Sequence, residues 1–215
     1  PVFISLPGDI LNAEAGIELG HSTRVDTRVR PTDEALRALA QRLIKAERPV
    51  VIVGDEIVKS DALQEAAAFA SALGAPVYQQ SAPYGSHFHS EHPCFMGALS
   101  RVQTQVRDIL AAHDLLIVLG ADPLRMSVHS EVEPLPAGMP IVQVGLVDWD
   151  IAKNYPVEIA LKADVRETLR ALTPALAAAG GDALASRART GIAALASKNW
   201  TARRAQLVTE ITARG

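Results

Sequence analysis

The chain has 215 residues, 48% of them apolar and 21% charged, with a formal net charge of −3. That length suits one substantial core with appended segments. The near-neutral balance offers no broad field for nucleic acid or an anionic membrane surface, and neither is expected as a partner.

A single cysteine, Cys94, excludes an internal disulfide and fits a reducing cytoplasm, where it serves as a small buried hydrophobe. No apolar run approaches the ~18 residues that span a bilayer. The charge is uneven. From Gly181 onward six basic residues (Arg187, Arg189, Lys198, Arg203, Arg204, Arg214) face two acids, Asp182 and Glu210. No aromatic stacking set interleaves them as nucleic-acid binding would require, so they read as a solvated helix face.

In chain order, "PVFISLPGDI" opens without an initiator methionine, and Val2 to Leu6 reads as a strand, which suggests a piece of a longer chain. A polar connector runs to Pro31. "PTDEALRALAQRLIKAERP" then predicts an amphipathic helix. Thr32 or Asp33 caps it, acids occupy its first turn, Leu36, Leu39, Leu43 and Ile44 form its inner face, and Pro49 stops it. "PVVIVG" is wholly apolar and β-branched, as a strand buried on both faces must be.

The alternation continues. "SDALQEAAAFASALG" predicts a capped helix closing on Gly74, and "APVYQQ" a strand. A loop on the order of twenty residues follows, then the helix "TQVRDILAAHD" and the strands "LLIVLGAD", "MPIVQVGLVD" and "VEIALKAD". "ADVRETLRALTPALAAAG" is a helix that tolerates Pro174 only with a kink or a restart. The tail is helical with a thin apolar stripe: Leu184, Ile192, Leu195, Trp200, Leu207 and Ile211. Strands alternating with helices define an α/β fold with a parallel sheet covered on both faces.

Ligands of such sheets bind outside the carboxyl ends of the strands. Here those ends are Gly54-Asp55-Glu56, Gly120-Ala121-Asp122 and Gly145 to Asp148. A dinucleotide needs glycines there so that backbone N–H groups can approach its pyrophosphate. One glycine followed by two carboxylates argues against it, since an acid about 4 Å from a phosphate charge costs about 4 kcal/mol at an effective dielectric near 20. Asp148 or Asp150 could hold a ribose hydroxyl, but turn and helix capping is the plainer reading, as it is for Asp122 before Pro123.

"HFHSEHPCFMG" gathers His87, His89 and His92 with Glu91 and Cys94. The imidazoles and the acid suit zinc by type, but their spacing fits no standard ligand pattern. A Cys-His nucleophilic pair finds no feature that would lower the thiol pKa. A loop carrying polar rings at its surface is the default.

The succession "ERPVVIVGDE", "LGAPVYQQSAPYGSHFHSEHPCFMGAL", "HDLLIVLGAD" and "VGLVDWDIAKNYPVEIALKADVRETLRAL" resembles the middle domain of thiamine diphosphate-dependent enzymes, the group of acetohydroxyacid synthases and pyruvate decarboxylases. "SAP" followed by "HPCFMG" is most similar to benzoylformate decarboxylase. The resemblance implies a Rossmann-like, doubly wound six-stranded parallel sheet of order 3-2-1-4-5-6. Residues 1–30 would end a preceding pyrimidine-binding domain and its linker, 31–180 would form the middle domain, and 181–215 a helical linker toward a diphosphate-binding domain.

The outer two domains of such a parent clasp thiamine diphosphate and magnesium. Neither the cofactor-activating glutamate nor the Gly-Asp-Gly metal motif occurs in this stretch, so the fragment alone would bind neither group and catalyse nothing. Partners are then the flanking domains of the same chain, within a homo-oligomeric parent. The resemblance implies one catalytic residue, in the full-length enzyme only: His92, before Pro-Cys-Phe, would take part in proton transfer, work that suits an imidazole. It also raises FAD, or an ADP-containing ligand, as the alternative occupant of an acetolactate synthase-like domain. Glu56 in the first turn, and Asp122 rather than arginine after Ala121 with Arg125 three residues later, speak against that ligand.

Overall fold

The computed structural model describes residues 2–18, 20–126 and 130–214. Pro1, Leu19 and Gly215, which belong to the opening strand, connector and tail as read above, lie outside the described residues.

Six strands form one parallel sheet: β1 (Pro49–Val53), β2 (Val77–Gln79), β3 (Phe95–Ala98), β4 (Leu115–Leu119), β5 (Ile141–Gly145) and β6 (Ile159–Lys162). Their order is β3-β2-β1-β4-β5-β6, and every pairing is parallel. This is the order that the family resemblance implied. Every residue of β1, β4 and β5 is buried, because helices cover both faces there. Burial is only partial and alternates along β6, which closes one edge.

Alternation along the strands sorts the core. Val51, Val53, Ile117 and Val144 face one layer with Phe69, Leu169 and Leu172, while Val50, Ile52, Leu116 and Val118 face the other with Val106 and Leu110. The helices are α1 (Gly8–Leu11), α2 (Asp33–Lys45), α3 (Glu56–Lys59), α4 (Leu63–Leu73), α5 (Gln103–Ala111), α6 (Val165–Leu195) and α7 (Trp200–Arg214). Thr32 caps α2 by accepting from the Ala35 N–H at 3.2 Å, and Gly74 ends α4 in the left-handed conformation.

Several expectations need correction. Val2 to Leu6 forms no strand, and its side chains are exposed: an extended run has nothing to pair with where no sheet edge adjoins it. β3 lies inside what the sequence presents as a loop. Helix α4 begins after Ala62, without a side-chain cap, because Asp61 turns left-handed (φ 51°) and separates it from α3. Pro174 sits in α6 with helical dihedrals, and the break falls instead at Gly181 (φ 53°, ψ −149°).

Beyond that break α6 returns to the body. A Cβ on Gly74 would lie 2.5 Å from the Ala188 Cα, so the two helices touch through backbone. Leu184 and Ala188 are buried there, and Ile192, Leu195 and Trp200 pack against the same core, whereas Leu207 and Ile211 are exposed. Among the described residues no helix is long and apolar enough to cross a membrane.

Candidate functional site

The sheet's topological switch lies between β1 and β4, and a cavity of about 640 Å³ opens there at the carboxyl ends of the strands. Two glycines let the backbone come close. A Cβ on Gly54 would meet the Ala121 Cα and the Gly120 carbonyl oxygen at 2.5 Å, and Gly120 itself is left-handed (φ 59°). The cavity wall is mixed in sign: Asp55, Glu56, Asp122, Glu133 and Asp150 face Lys59, Arg125 and Lys153.

Glu56 dominates this end of the sheet. It starts α3 just after β1, crosses the end of β4, where its Cβ would lie 2.4 Å from a Cβ on Gly120, and reaches the end of β5. There its carboxylate accepts the backbone N–H groups of Leu146 at 2.7 Å and Val147 at 3.2 Å. The residue is 8% exposed. Burial pushes its pKa up, and the two backbone hydrogen bonds oppose that shift.

Gln143, the one polar residue within β5, is also buried. Its amide donates to the Asp150 carbonyl at 2.8 Å and accepts the Ala152 N–H at 2.9 Å, pinning the 3-10 turn Asp148–Asp150. Neither acid of that turn caps a helix. Asp148 pairs with Lys162 at 2.7 Å on the surface, and Asp150 lies 3.8 Å from Lys153. Asp122 sits 3.7 Å from the same lysine, its other oxygen buried without a partner, and desolvation raises its pKa.

The three histidines of "HFHSEH" do not converge. His87 is buried at the carboxyl end of the sheet, with Nε2 2.7 Å from Asp55 Oδ1 and Nδ1 without a hydrogen-bond partner. It is not a surface ring, and desolvation lowers its pKa against the pull of Asp55. His92 stands at the other end of the sheet, just before β3. It is half-buried, with Nε2 3.0 Å from the Ser71 hydroxyl of α4 and Nδ1 accepting the Cys94 N–H at 3.2 Å. Nδ1 therefore carries no proton, which puts the neutral ring's proton on Nε2. The Phe88 ring meets it edge-on at 5.1 Å. Burial lowers the His92 pKa, and His89 lowers it further.

Among the described residues no group of three or more His, Cys, Asp or Glu is placed to hold a metal ion. Cys94 is fully buried, and burial pushes its thiol up to about 11, as a packing residue requires and a nucleophile does not.

Sequence reasoning found the strand-end acids but not their roles. The Asp55–His87 contact joins residues far apart in the chain, and nothing local announces it. Gln143 left a signal, a single amide inside an apolar run, that a fully buried strand has to explain.

A doubly wound parallel sheet with a walled crevice at its switch point defines the class: a Rossmann-like α/β domain. The family described as "Thiamine pyrophosphate enzyme, central domain" matches residues 36–172, and the chain belongs to that family. It is 31% identical over 174 residues to benzoylformate decarboxylase of Pseudomonas aeruginosa, covering 80% of this chain and 33% of that protein. It is 28% identical over 184 residues to the acetolactate synthase large subunit of Corynebacterium glutamicum, covering 80% and 28%. Among solved structures, benzoylformate decarboxylase from Polynucleobacter necessarius superposes with a TM-score of 0.66 at 27% identity, over 75% of this chain and 30% of that one. The chain thus spans about a third of the length of these relatives.

The crevice does not suit FAD. The N–H groups at the end of β5 are taken by Glu56, whose carboxylate side chain crosses the end of β4 and would repel a diphosphate there.

Proposed function

We propose that this chain is the central domain of a thiamine diphosphate-dependent 2-oxo acid decarboxylase of the benzoylformate decarboxylase kind, resident in the cytoplasm. In this reading the sheet fixes the spacing of two flanking domains that clasp the cofactor and its magnesium ion. The parent is a homo-oligomer, and residues 31–180 are the domain proper, with 1–30 and 181–215 as its connections. The observation that carries the choice of a decarboxylase over a flavin-bearing synthase is Glu56, whose carboxylate takes the crevice's backbone donors.

His92 supplies a proton relay to the shared site. Its fixed tautomer supports this role: the Cys94 N–H holds Nδ1, so Nε2–H is the donor, and the ring exchanges Ser71 for a reacting group when the other domains close on it. The test is to produce the full reading frame with thiamine diphosphate and magnesium and to follow carbon dioxide release from benzoylformate and aliphatic 2-oxo acids. Colourless protein that decarboxylates supports the reading. Flavin absorbance with acetolactate formation overturns it. His92→Ala should lower kcat by roughly 10²–10⁴, and full turnover in that variant removes the relay.

A further inference from the structure

We infer that the crevice at the switch point contains a latent anion site whose ligand is the protein's own Glu56 carboxylate, so that the native domain refuses diphosphate-bearing molecules and removal of that one side chain admits them. The inference rests on the same Glu56 geometry that carries the choice of a decarboxylase above, and anion binding tests it apart from turnover.

Two successive backbone N–H groups aimed at one anion make a general binding device for phosphate and carboxylate oxygens. Here the N–H groups of Leu146 and Val147 point at Glu56 Oε2 and Oε1, at 2.7 and 3.2 Å. The carboxylate comes from β1's end and the cradle of donors from β5's end, so the contact spans the switch point rather than closing a local turn. Gly145 keeps the cradle open, since a Cβ there would stand 3.2 Å from Oε1. Lys59 faces the same cavity and supplies a positive charge that favours an anion, while Asp150 there opposes it.

A buried carboxylate in this position acts twice against a diphosphate. It consumes the donors the diphosphate would use, and it repels its charge at short range. Glu56→Ala reverses both effects and leaves two unpaired N–H groups at the wall of a cavity of about 640 Å³. Glu56→Gln removes the charge but keeps the bulk: its one carbonyl oxygen accepts from one N–H, its NH2 group opposes the other, and the side chain still occludes the cradle.

The experiment is thermal unfolding of the protein with and without inorganic pyrophosphate. Wild type and Glu56→Gln should show no shift. Glu56→Ala should rise by several degrees at pyrophosphate about tenfold above its dissociation constant. ADP carries the same group on a nucleoside: a matching rise shows that the cavity also takes the base, and a rise with pyrophosphate alone restricts the site to the free anion. A rise in wild type, or a cooperatively folded Glu56→Ala that ignores pyrophosphate, overturns the inference. If Glu56→Ala does not fold, the decision passes to wild type, where the Leu146 and Val147 amide resonances should shift together as Glu56 titrates. Amides that stay still through that titration overturn it as well.

Discussion

Gly120→Ala tests how tightly the switch point is built. Gly120 is left-handed (φ 59°), a conformation that costs a residue with a Cβ about 1–2 kcal/mol. The new methyl would lie 2.4 Å from the Glu56 Cβ and 3.2 Å from Val165 Cγ2, so α3 or α6 must shift, an overpacking cost of about 1–3 kcal/mol. Together the losses reach about 2–5 kcal/mol, a large share of the ~5–15 kcal/mol typical of a domain. The assay is urea unfolding, read as a fall in midpoint at constant slope. The two terms can be separated, because Glu56→Ala retains its Cβ while Glu56→Gly does not. In the Glu56→Gly background Gly120→Ala loses its closest clash and keeps the dihedral cost and the 3.2 Å approaches to the residue-56 Cα and to Val165 Cγ2, so a coupling of up to about 1–3 kcal/mol should appear in the double-mutant cycle. A loss below about 1 kcal/mol for Gly120→Ala alone, or no coupling, would refute the close approach of α3 to β4.

Gln143→Leu, which strands the Asp150 carbonyl and the Ala152 N–H, should cost about 2–4 kcal/mol in the same unfolding assay. Ala152 is itself left-handed (φ 55°), and Ala152→Gly should raise stability by up to about 1 kcal/mol. His87 and His92 both have pKa values lowered by burial from the ordinary 6.5, so the unfolded chain takes up their protons first. Stability should therefore be full above that value and decline as pH falls below about 6.5, with His87→Asn flattening part of the decline in urea midpoints measured across that range. Cys94, buried with its thiol pushed up to about 11, should resist a thiol-reactive disulfide reagent in the native state and react only at the rate of opening.

The central strands were legible because burial on both faces leaves no choice of residue: "VVIV" and "LLIVL" can be nothing else in a chain of this kind. β3 was not, because "FMGA" is short, contains Gly97 in a left-handed conformation (φ 91°), and follows a polar run. Its strand character comes from pairing with β2, which no local window contains. The reverse error at Val2 to Leu6 has the same source, since strand propensity without a neighbouring edge leaves an exposed extended chain. Thr32 and Gly74 were legible as helix ends because caps are local chemistry. The candidate site was half legible. Acids after a strand-end glycine could be seen, but their partners could not: Glu56 finds Leu146 and Val147, and Asp55 finds His87, through the fold alone.

The break at Gly181 has a bearing on what the tail can tolerate. Its backbone angles lie in a region that side-chain-bearing residues avoid, so the course of everything after it is aimed by a single pivot. Just beyond, the backbone contact between Gly74 and Ala188 acts as a second fixing point. A side chain at either glycine would swing the helical tail to a new azimuth, altering where Leu207 and Ile211 are presented while leaving the sheet untouched.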